Sequence, residues 1–269
     1  MKNYTELLNL TINAAIEAGK AILKIYNSPD HIEIHNKKDN SPLTLADLAS
    51  NDIINSYLSK TNYPTISEEN KQLDFTTRKE WETCWMVDPL DGTKEFIKRN
   101  GEFTVNIALI NQGAPLLGVI YVPVTRELYY ADVAQNAAYK TMIGKDHSLQ
   151  GDLFLEKDRI YPSSSTNSNV RVVGSRSHMN QDTLDYVSDL EKKNKEVAIV
   201  SKGSSLKFCL VAEGKADVYP RFAPTMEWDT AAGHAICNAA GLKVIAQDTQ
   251  KELLYNKENL LNPYFLVTP

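Results

Sequence analysis

Cysteine is scarce in this chain: Cys84, Cys209 and Cys237 stand far apart in apolar surroundings, with no C-x-x-C spacing. An odd, scattered set excludes a disulfide framework and a thiolate metal or redox centre, and it reads as reduced core thiols. No run approaches the ~20 apolar residues that a membrane-spanning helix needs. The opening Met1-Lys2-Asn3-Tyr4-Thr5-Glu6 has acid and polar groups where a signal peptide has a basic start and an apolar run, so the sequence predicts a cytoplasmic protein. An excess of positive charge is also missing. The formal net charge of -5 speaks against a nucleic-acid polymer as partner, while leaving room for a local basic pocket that takes a small phosphate. No G-x-S-x-G elbow occurs, which removes the serine-hydrolase reading, and no internal repeat is visible.

What is present suffices for a buried core: 269 residues, 42% of them apolar. Apolar residues at three- and four-residue steps predict a helix from about Tyr4 to Tyr26, ended by Pro29. His31 to His35 alternates like a half-buried strand, and a second helix is expected from Thr44 to Leu58 with Asp47 in its first turn. Tyr63 to Glu69 reads as a short strand ending in two acids, and Lys71 to Trp81 as irregular or helical. Cys84 to Val87 is a strand, Thr93 to Lys98 a short helix whose free amides suit phosphate, and Phe103 to Ala131 an antiparallel run of three strands. The polar stretch from Thr141 to Asn169 reads as a linker between an N-terminal α+β half, 1–140, and a C-terminal α/β half, 141–269. The second half alternates: strand 170–174, helix 181–192, strand 197–201, helix 204–213, strand 216–219, helix 229–239 stopped by Gly241, strand 242–245. From pattern alone this is mixed α and β in layers.

The chemistry concentrates at Asp88-Pro89-Leu90-Asp91-Gly92-Thr93. Pro restricts its own φ and Gly92 permits a conformation closed to other residues, so both carboxylates can point into one small space. Two anions held that close repel unless a cation lies between them, and oxygen-rich clusters suit hard divalent ions. Taken alone, the segment reads rather as an acidic surface turn with a solvated Asp pair, and Glu68-Glu69 as a solvated charge pair.

Together these marks resemble the inositol monophosphatase superfamily of lithium-sensitive phosphatases, which carry an upstream Asp, a Glu-Glu pair, the Asp-Pro-x-Asp-Gly-Thr segment and a late Trp-Asp. Here they are Asp47, Glu68-Glu69, Asp88 to Thr93 and Trp228-Asp229-Thr230-Ala231-Ala232-Gly233, in the family's order. The runs Asp91 to Thr104 and Gly203-Ser204-Ser205-Leu206-Lys207-Phe208-Cys209 resemble its 3'(2'),5'-bisphosphate nucleotidase branch. The resemblance implies an αβαβα sandwich acting as one continuous catalytic unit, with two or three Mg²⁺ ions held by Glu68, Asp88, the Leu90 carbonyl, Asp91 and Asp229. It implies that Asp47 and Thr93 orient and deprotonate the attacking water, with Glu69 as a supporting group or a ligand to a third ion. Substrate would be held by Glu68, Leu90, Asp91, Gly92, Thr93 and Asp229, and its nucleoside part by Ser175, His178, Gly203 and Lys207.

The implied reaction removes the 3'-phosphate of adenosine 3',5'-bisphosphate in sulfur assimilation, with activity on the sulfated relative and inhibition by Li⁺. An inositol monophosphatase or sugar bisphosphatase of the same fold is the alternative, and a nucleotide sensor without turnover a third reading. The partner is a small nucleotide bisphosphate; the chain is expected as a monomer or homodimer, with attachment to the inner face of the membrane implied for some relatives. Several residues keep a second meaning: Asp229 also fits a helix N-cap, His178 a surface or core histidine, and Arg221 either an anion contact or a guanidinium stacked on aromatics.

Overall fold

The structure, a computed structural model, describes residues 4–28, 34–36, 42–164, 169–174, 180–193 and 196–269, with the backbone only at 34–36. In α1 (Tyr4–Tyr26), Leu8, Ile12, Ala15, Gly19 and Ile22 recur at steps of four and three residues and are buried together. Two short strands, β1 (Ile34–Asn36) and β2 (Pro42–Thr44), pair antiparallel and lead into α2 (Leu45–Leu58), which packs beside α1.

These two helices cover one face of a six-stranded sheet: β3 (Thr65–Ser67), β4 (Thr83–Asp91), β5 (Thr104–Asn111), β6 (Ala114–Val122), β7 (Glu127–Asp132) and β8 (Ala137–Met142), side by side in that order. The first pair is parallel and all later pairs are antiparallel. Along β4 the side chains alternate between two cores. Trp85 and Val87 face α1 and α2, whereas Cys84 and Met86 face the opposite helices. A sheet covered on both sides has few polar positions, which is why its strands read as nearly continuous apolar runs.

Between β3 and β4 lies α3 (Phe75–Arg78), and after β4 comes α4 (Thr93–Ile97). The second half supplies β9 (Asn169–Gly174), α5 (Gln181–Lys192), β10 (Glu196–Ser201), α6 (Leu206–Ala212), β11 (Tyr219–Arg221), α7 (Glu227–Ala239), β12 (Lys243–Ala246) and β13 (Phe265–Thr268). Helices α6 and α7 share a core with the back of the large sheet. Beyond them stand the parallel pair β9 and β10 and the antiparallel sheet β11-β13-β12, with α5 against β10 and β11. The result is the expected αβαβα layering. Helix α7 lies close on β6 at Gly118, where a Cβ would stand 2.5 Å from the Ala232 carbonyl oxygen and 2.6 Å from the Ala235 Cβ.

Several expectations need correction. The stretch expected as a linker from Thr141 is partly structural: β8 runs into it, Ile143 is buried, and Leu149, Leu153 and Phe154 pack against the α1/α2 core. Strand β13 was not among the expected elements. Strand β11 falls at Tyr219–Arg221 rather than 216–219, and α6 starts at Leu206 rather than at Ser204. The acidic segment is also less of a turn than expected. It remains in β4 through Asp91, with the register against β5 slipping between Asp88 and Asp91. Such an irregularity re-aims side chains without ending the strand.

Candidate active site

Helix α2 begins with a reciprocal cap: the Thr44 hydroxyl accepts from the Ala46 N–H at 3.2 Å, and Asp47 Oδ2 accepts from the Thr44 N–H at 2.8 Å and from the Thr44 hydroxyl at 2.6 Å. That leaves Oδ1 turned toward β4's end, where it accepts from the Thr93 hydroxyl at 3.1 Å. The same hydroxyl lies 3.4 Å from the Leu90 carbonyl. A hydroxyl has one proton, and the shorter contact to a carboxylate takes it. The Leu90 carbonyl oxygen therefore keeps its lone pairs for another partner.

The acidic segment is fastened from several sides. Ser50 on α2 donates to the Pro89 carbonyl at 2.6 Å, and buried Asp88 accepts through Oδ1 from the Leu90 N–H at 3.1 Å. Gly92 has φ of +92°, a region that suits glycine, and a Cβ there would stand 3.2 Å from the Glu102 carbonyl. Glu68 follows β3 directly; its N–H donates to the Val87 carbonyl at 3.1 Å, which seats it beside Asp88.

Asp91 meets the second half of the chain. Its Oδ2 accepts from the Ser205 N–H at 2.6 Å, the Ser205 hydroxyl at 2.7 Å and the Asn106 side-chain amide at 3.2 Å. Ser205 Oγ is also 2.8 Å from the Asp229 carbonyl and receives Asn106 Nδ2 at 2.8 Å. One serine thus ties an acid of β4 to the start of α7. Sequence reading had passed over Ser205, Asn106 and Thr44, since a serine in a Gly-Ser-Ser run and a polar strand residue carry no spacing signal. Only the amphipathic run that begins at Thr44 pointed to a cap there.

Asp229 is not the N-cap that one reading allowed. Helix α7 starts two residues earlier, and Asp229 stands at the third helical position with Oδ2 accepting the Met226 N–H at 2.8 Å. That start is anchored by fully buried Glu227, which accepts from the backbone N–H groups of Asn256 and Lys257 and from Lys257 Nζ. Burial, together with the charges of Asp91 and Glu68, pushes the Asp229 carboxyl up to about 8. Acids that were far apart in sequence therefore feel each other in space.

These residues fit a hard divalent cation in kind: every donor is oxygen, and the carboxylates repel one another in partly buried surroundings. Among the described residues, no three acidic, histidine or cysteine side chains stand close enough to form a finished cage. The carboxylates are turned instead to protein donors. Asp91 and Asp229 do so through Oδ2 alone among the described residues, which leaves each Oδ1 without a hydrogen bond there.

A cavity of about 120 Å³ opens beside them, with Asp91, Glu95, Lys207, Arg221 and Asp229 in its wall. Gly203 and Lys207 border it, but differently from expectation. The Gly203 N–H already donates to Glu102 Oε2 at 2.9 Å, and Gly203 precedes the helix rather than opening it. Lys207 is buried, donates to the Ser204 carbonyl at 2.5 Å, and lies over the Tyr219 ring, 5.7 Å from its centroid. Burial lowers its ammonium to about 8. Ser175 and His178 lie outside the described residues.

With this geometry in place, the comparisons are consistent. The profile of the inositol monophosphatase family matches residues 3–264, and the chain belongs to that family. The chain is 46% identical over 97% of its length to 3'(2'),5'-bisphosphate nucleotidase CysQ of Salmonella typhimurium, 99% of which is covered. It is 44% identical, with the same coverage, to the CysQ nucleotidase of Escherichia coli K12. The crystal structure of CysQ from Bacteroides thetaiotaomicron superposes with a TM-score of 0.89 at 49% identity, covering all of this chain and 98% of that one. No helix among the described residues is long and apolar enough to cross a membrane.

Proposed function

We propose that this chain is a Mg²⁺-dependent 3'(2'),5'-bisphosphate nucleotidase that hydrolyses the 3'-phosphate of adenosine 3',5'-bisphosphate to AMP and phosphate, and that acts on the sulfated relative as well. The observation that carries this is the 3.1 Å bond from the Thr93 hydroxyl to Asp47, set beside the mutually repelling acids Glu68, Asp91 and Asp229. Relatives that share nearly half the sequence over almost the whole chain bear the nucleotidase name, which supports the substrate class.

Two or three Mg²⁺ ions would be held by Glu68, Asp88, the Leu90 carbonyl, Asp91 and Asp229. Bound there, they would supply charge neutralisation, a more acidic water and support for the departing alkoxide. The chain's own part is directional. Asp47, with Oδ2 fixed by Thr44, keeps Oδ1 for the Thr93 proton. Thr93, its proton so committed, presents an oxygen lone pair that accepts a proton from the attacking water, and the proton passes along this pair toward Asp47. Ser205 and Asn106 hold Asp91 in place, so that its free oxygen faces the same space as that of Asp229.

Phosphate release, measured with and without Mg²⁺ and with Li⁺, on adenosine 3',5'-bisphosphate, its sulfated relative, inositol 1-phosphate and a sugar bisphosphate tests this. The expected result is turnover only with Mg²⁺, fastest on an adenosine bisphosphate and suppressed by Li⁺. Faster turnover of inositol 1-phosphate would move the chain to the monophosphatase branch.

A further inference from the structure

The start of β5 and the two residues before it alternate in what they face. Phe103, Val105 and Ile107 are buried in the core under α1 and α2. Glu102, Thr104 and Asn106 point the other way, as the period of two in an extended chain requires. Each of them meets one of three consecutive residues that lead into α6. Glu102 Oε2 accepts from the Gly203 N–H at 2.9 Å, the Thr104 and Ser204 hydroxyls meet at 3.3 Å, and Asn106 Nδ2 donates to Ser205 Oγ at 2.8 Å.

This loop needs holding. Ser204 has φ of +43°, a left-handed conformation that a residue with a Cβ adopts only at a cost, so its surroundings must impose it. After it comes Ser205, whose N–H and hydroxyl reach Asp91 Oδ2 at 2.6 and 2.7 Å. Before it comes Gly203, where an added Cβ would stand 3.0 Å from the Glu102 carbonyl oxygen and 3.1 Å from the Glu102 Cβ. The same carbonyl oxygen lies 3.2 Å from where a Cβ on Gly92, the residue after Asp91, would stand. Glu102 is therefore seated between the acidic segment and the loop that fastens it. Its side chain is only 15% exposed, and its other oxygen pairs at 3.2 Å with Lys202, whose side chain is 40% exposed. The bond to a sheltered backbone N–H outweighs an ion pair with so exposed a lysine.

We infer that Glu102 is a positioning residue for Asp91: by holding the Gly203 N–H it fixes the strained turn at Ser204, keeps Ser205 against the carboxylate, and so sets how tightly the site takes a divalent cation. This rests on the reading of Asp91 as a Mg²⁺ ligand. It goes beyond that reading by giving control of the ligand to a residue outside the acidic cluster.

The test compares wild type, Glu102→Ala, Glu102→Gln and Lys202→Met. Mg²⁺ affinity is measured by calorimetry without substrate, and hydrogen exchange at residues 203–205 by mass spectrometry in EDTA. For Glu102→Ala, Mg²⁺ affinity is expected to weaken about 10- to 100-fold, while kcat at saturating Mg²⁺ stays within about threefold. Exchange at 203–205 quickens about tenfold, and β4 to β7 keep their wild-type rates. Glu102→Gln leaves one oxygen to accept the Gly203 N–H, and Lys202→Met removes only the ion pair, so both stay within about threefold of wild type in Mg²⁺ affinity and exchange.

Unchanged Mg²⁺ affinity in Glu102→Ala overturns the inference, as does faster exchange spread over the whole sheet. An equal loss in Glu102→Gln or in Lys202→Met overturns it too, because the effect would then belong to charge rather than to the bond with Gly203. Should Glu102→Ala not fold, Thr104→Val, which removes the middle contact alone, is expected to weaken Mg²⁺ binding about three- to tenfold, and unchanged binding there overturns the inference. Wild type that turns over at full rate in EDTA sinks the Mg²⁺ reading and this inference with it. Wild type that depends on Mg²⁺, with Glu102→Ala binding the ion equally well, sinks the inference alone.

Discussion

Helices α2 and α7 begin in the same way and serve opposite ends. Each carries an aspartate at its third position, Asp47 and Asp229, and each aspartate accepts the backbone N–H three residues earlier at 2.8 Å. Around Asp47 both oxygens find hydroxyls, Oδ2 that of Thr44 and Oδ1 that of Thr93. Around Asp229 the neighbours are other acids, and burial with Asp91 and Glu68 drives its carboxyl up to about 8. The local motif is therefore indifferent to role. A carboxylate whose surroundings donate protons is suited to directing a water, and one whose surroundings repel it is suited to holding a cation.

The strongest way to break this contrast is Asp229→Asn, which removes one of the proposed Mg²⁺ ligands but keeps the cap's geometry. Turnover is expected to fall at least about a thousandfold, equivalent to ~4 kcal/mol of barrier. Direct titration should show weaker Mg²⁺ binding, while the circular dichroism stays unchanged. Thr93→Ala comes next, with a loss of about 100- to 1000-fold in kcat and Mg²⁺ affinity retained, because it cuts the proposed proton path but leaves the acids in place. If Thr93→Ala weakened Mg²⁺ binding as much as Asp229→Asn, the division of labour would be wrong.

A smaller effect is expected from Thr44→Val, which frees Asp47 Oδ2 from its hydroxyl. Activity should drop about tenfold, by the logic of lost supporting hydrogen bonds, and stability by ~1 kcal/mol through the lost cap. Chemical denaturation and steady-state rates separate the two. The smallest effect is a pH dependence of the metal-free protein. Asp229 keeps its proton when folded up to about 8 and releases it when unfolded near 3.8, so the unfolded state binds fewer protons throughout that window. Stability should fall as pH rises from about 4 to 8. Thermal melts in EDTA are expected to show this slope in wild type and a shallower one in Asp229→Asn; identical slopes would remove Asp229 as the source.

Much of this was legible before any coordinates. The bounds of α1 followed from apolar periodicity, those of α5 from the alternation of the second half, and the three antiparallel strands after Phe103 from turn residues between apolar runs. The acids stood out because an apolar run stops at two carboxylates three positions apart, with Pro and Gly set between and after them. What escaped notice has a common cause. Leu149 is a lone apolar residue and Leu153-Phe154-Leu155 a run of three in polar text, too short to generate a period. Ser205 and Asn106 act through contacts with residues about a hundred positions away, such as Ser205 to Asp91, and no local pattern encodes these. Arg221 was visible as a charge beside aromatics, but its unpartnered Nε could be seen only in three dimensions.

The contact at Gly118 bears on all of this. Since Gly118 brings no side chain to the contact, the depth at which that helix rests on the sheet is set by the Ala232 carbonyl and the Ala235 methyl, and the same helix carries Asp229 about one turn before them. One added methyl would act as a shim, lifting the helix and widening the gap between Asp229 and the acids of β4. The spacing of the acids is thus controlled from the middle of an apolar layer, at a position with no charge, no polar group and no place in any catalytic motif.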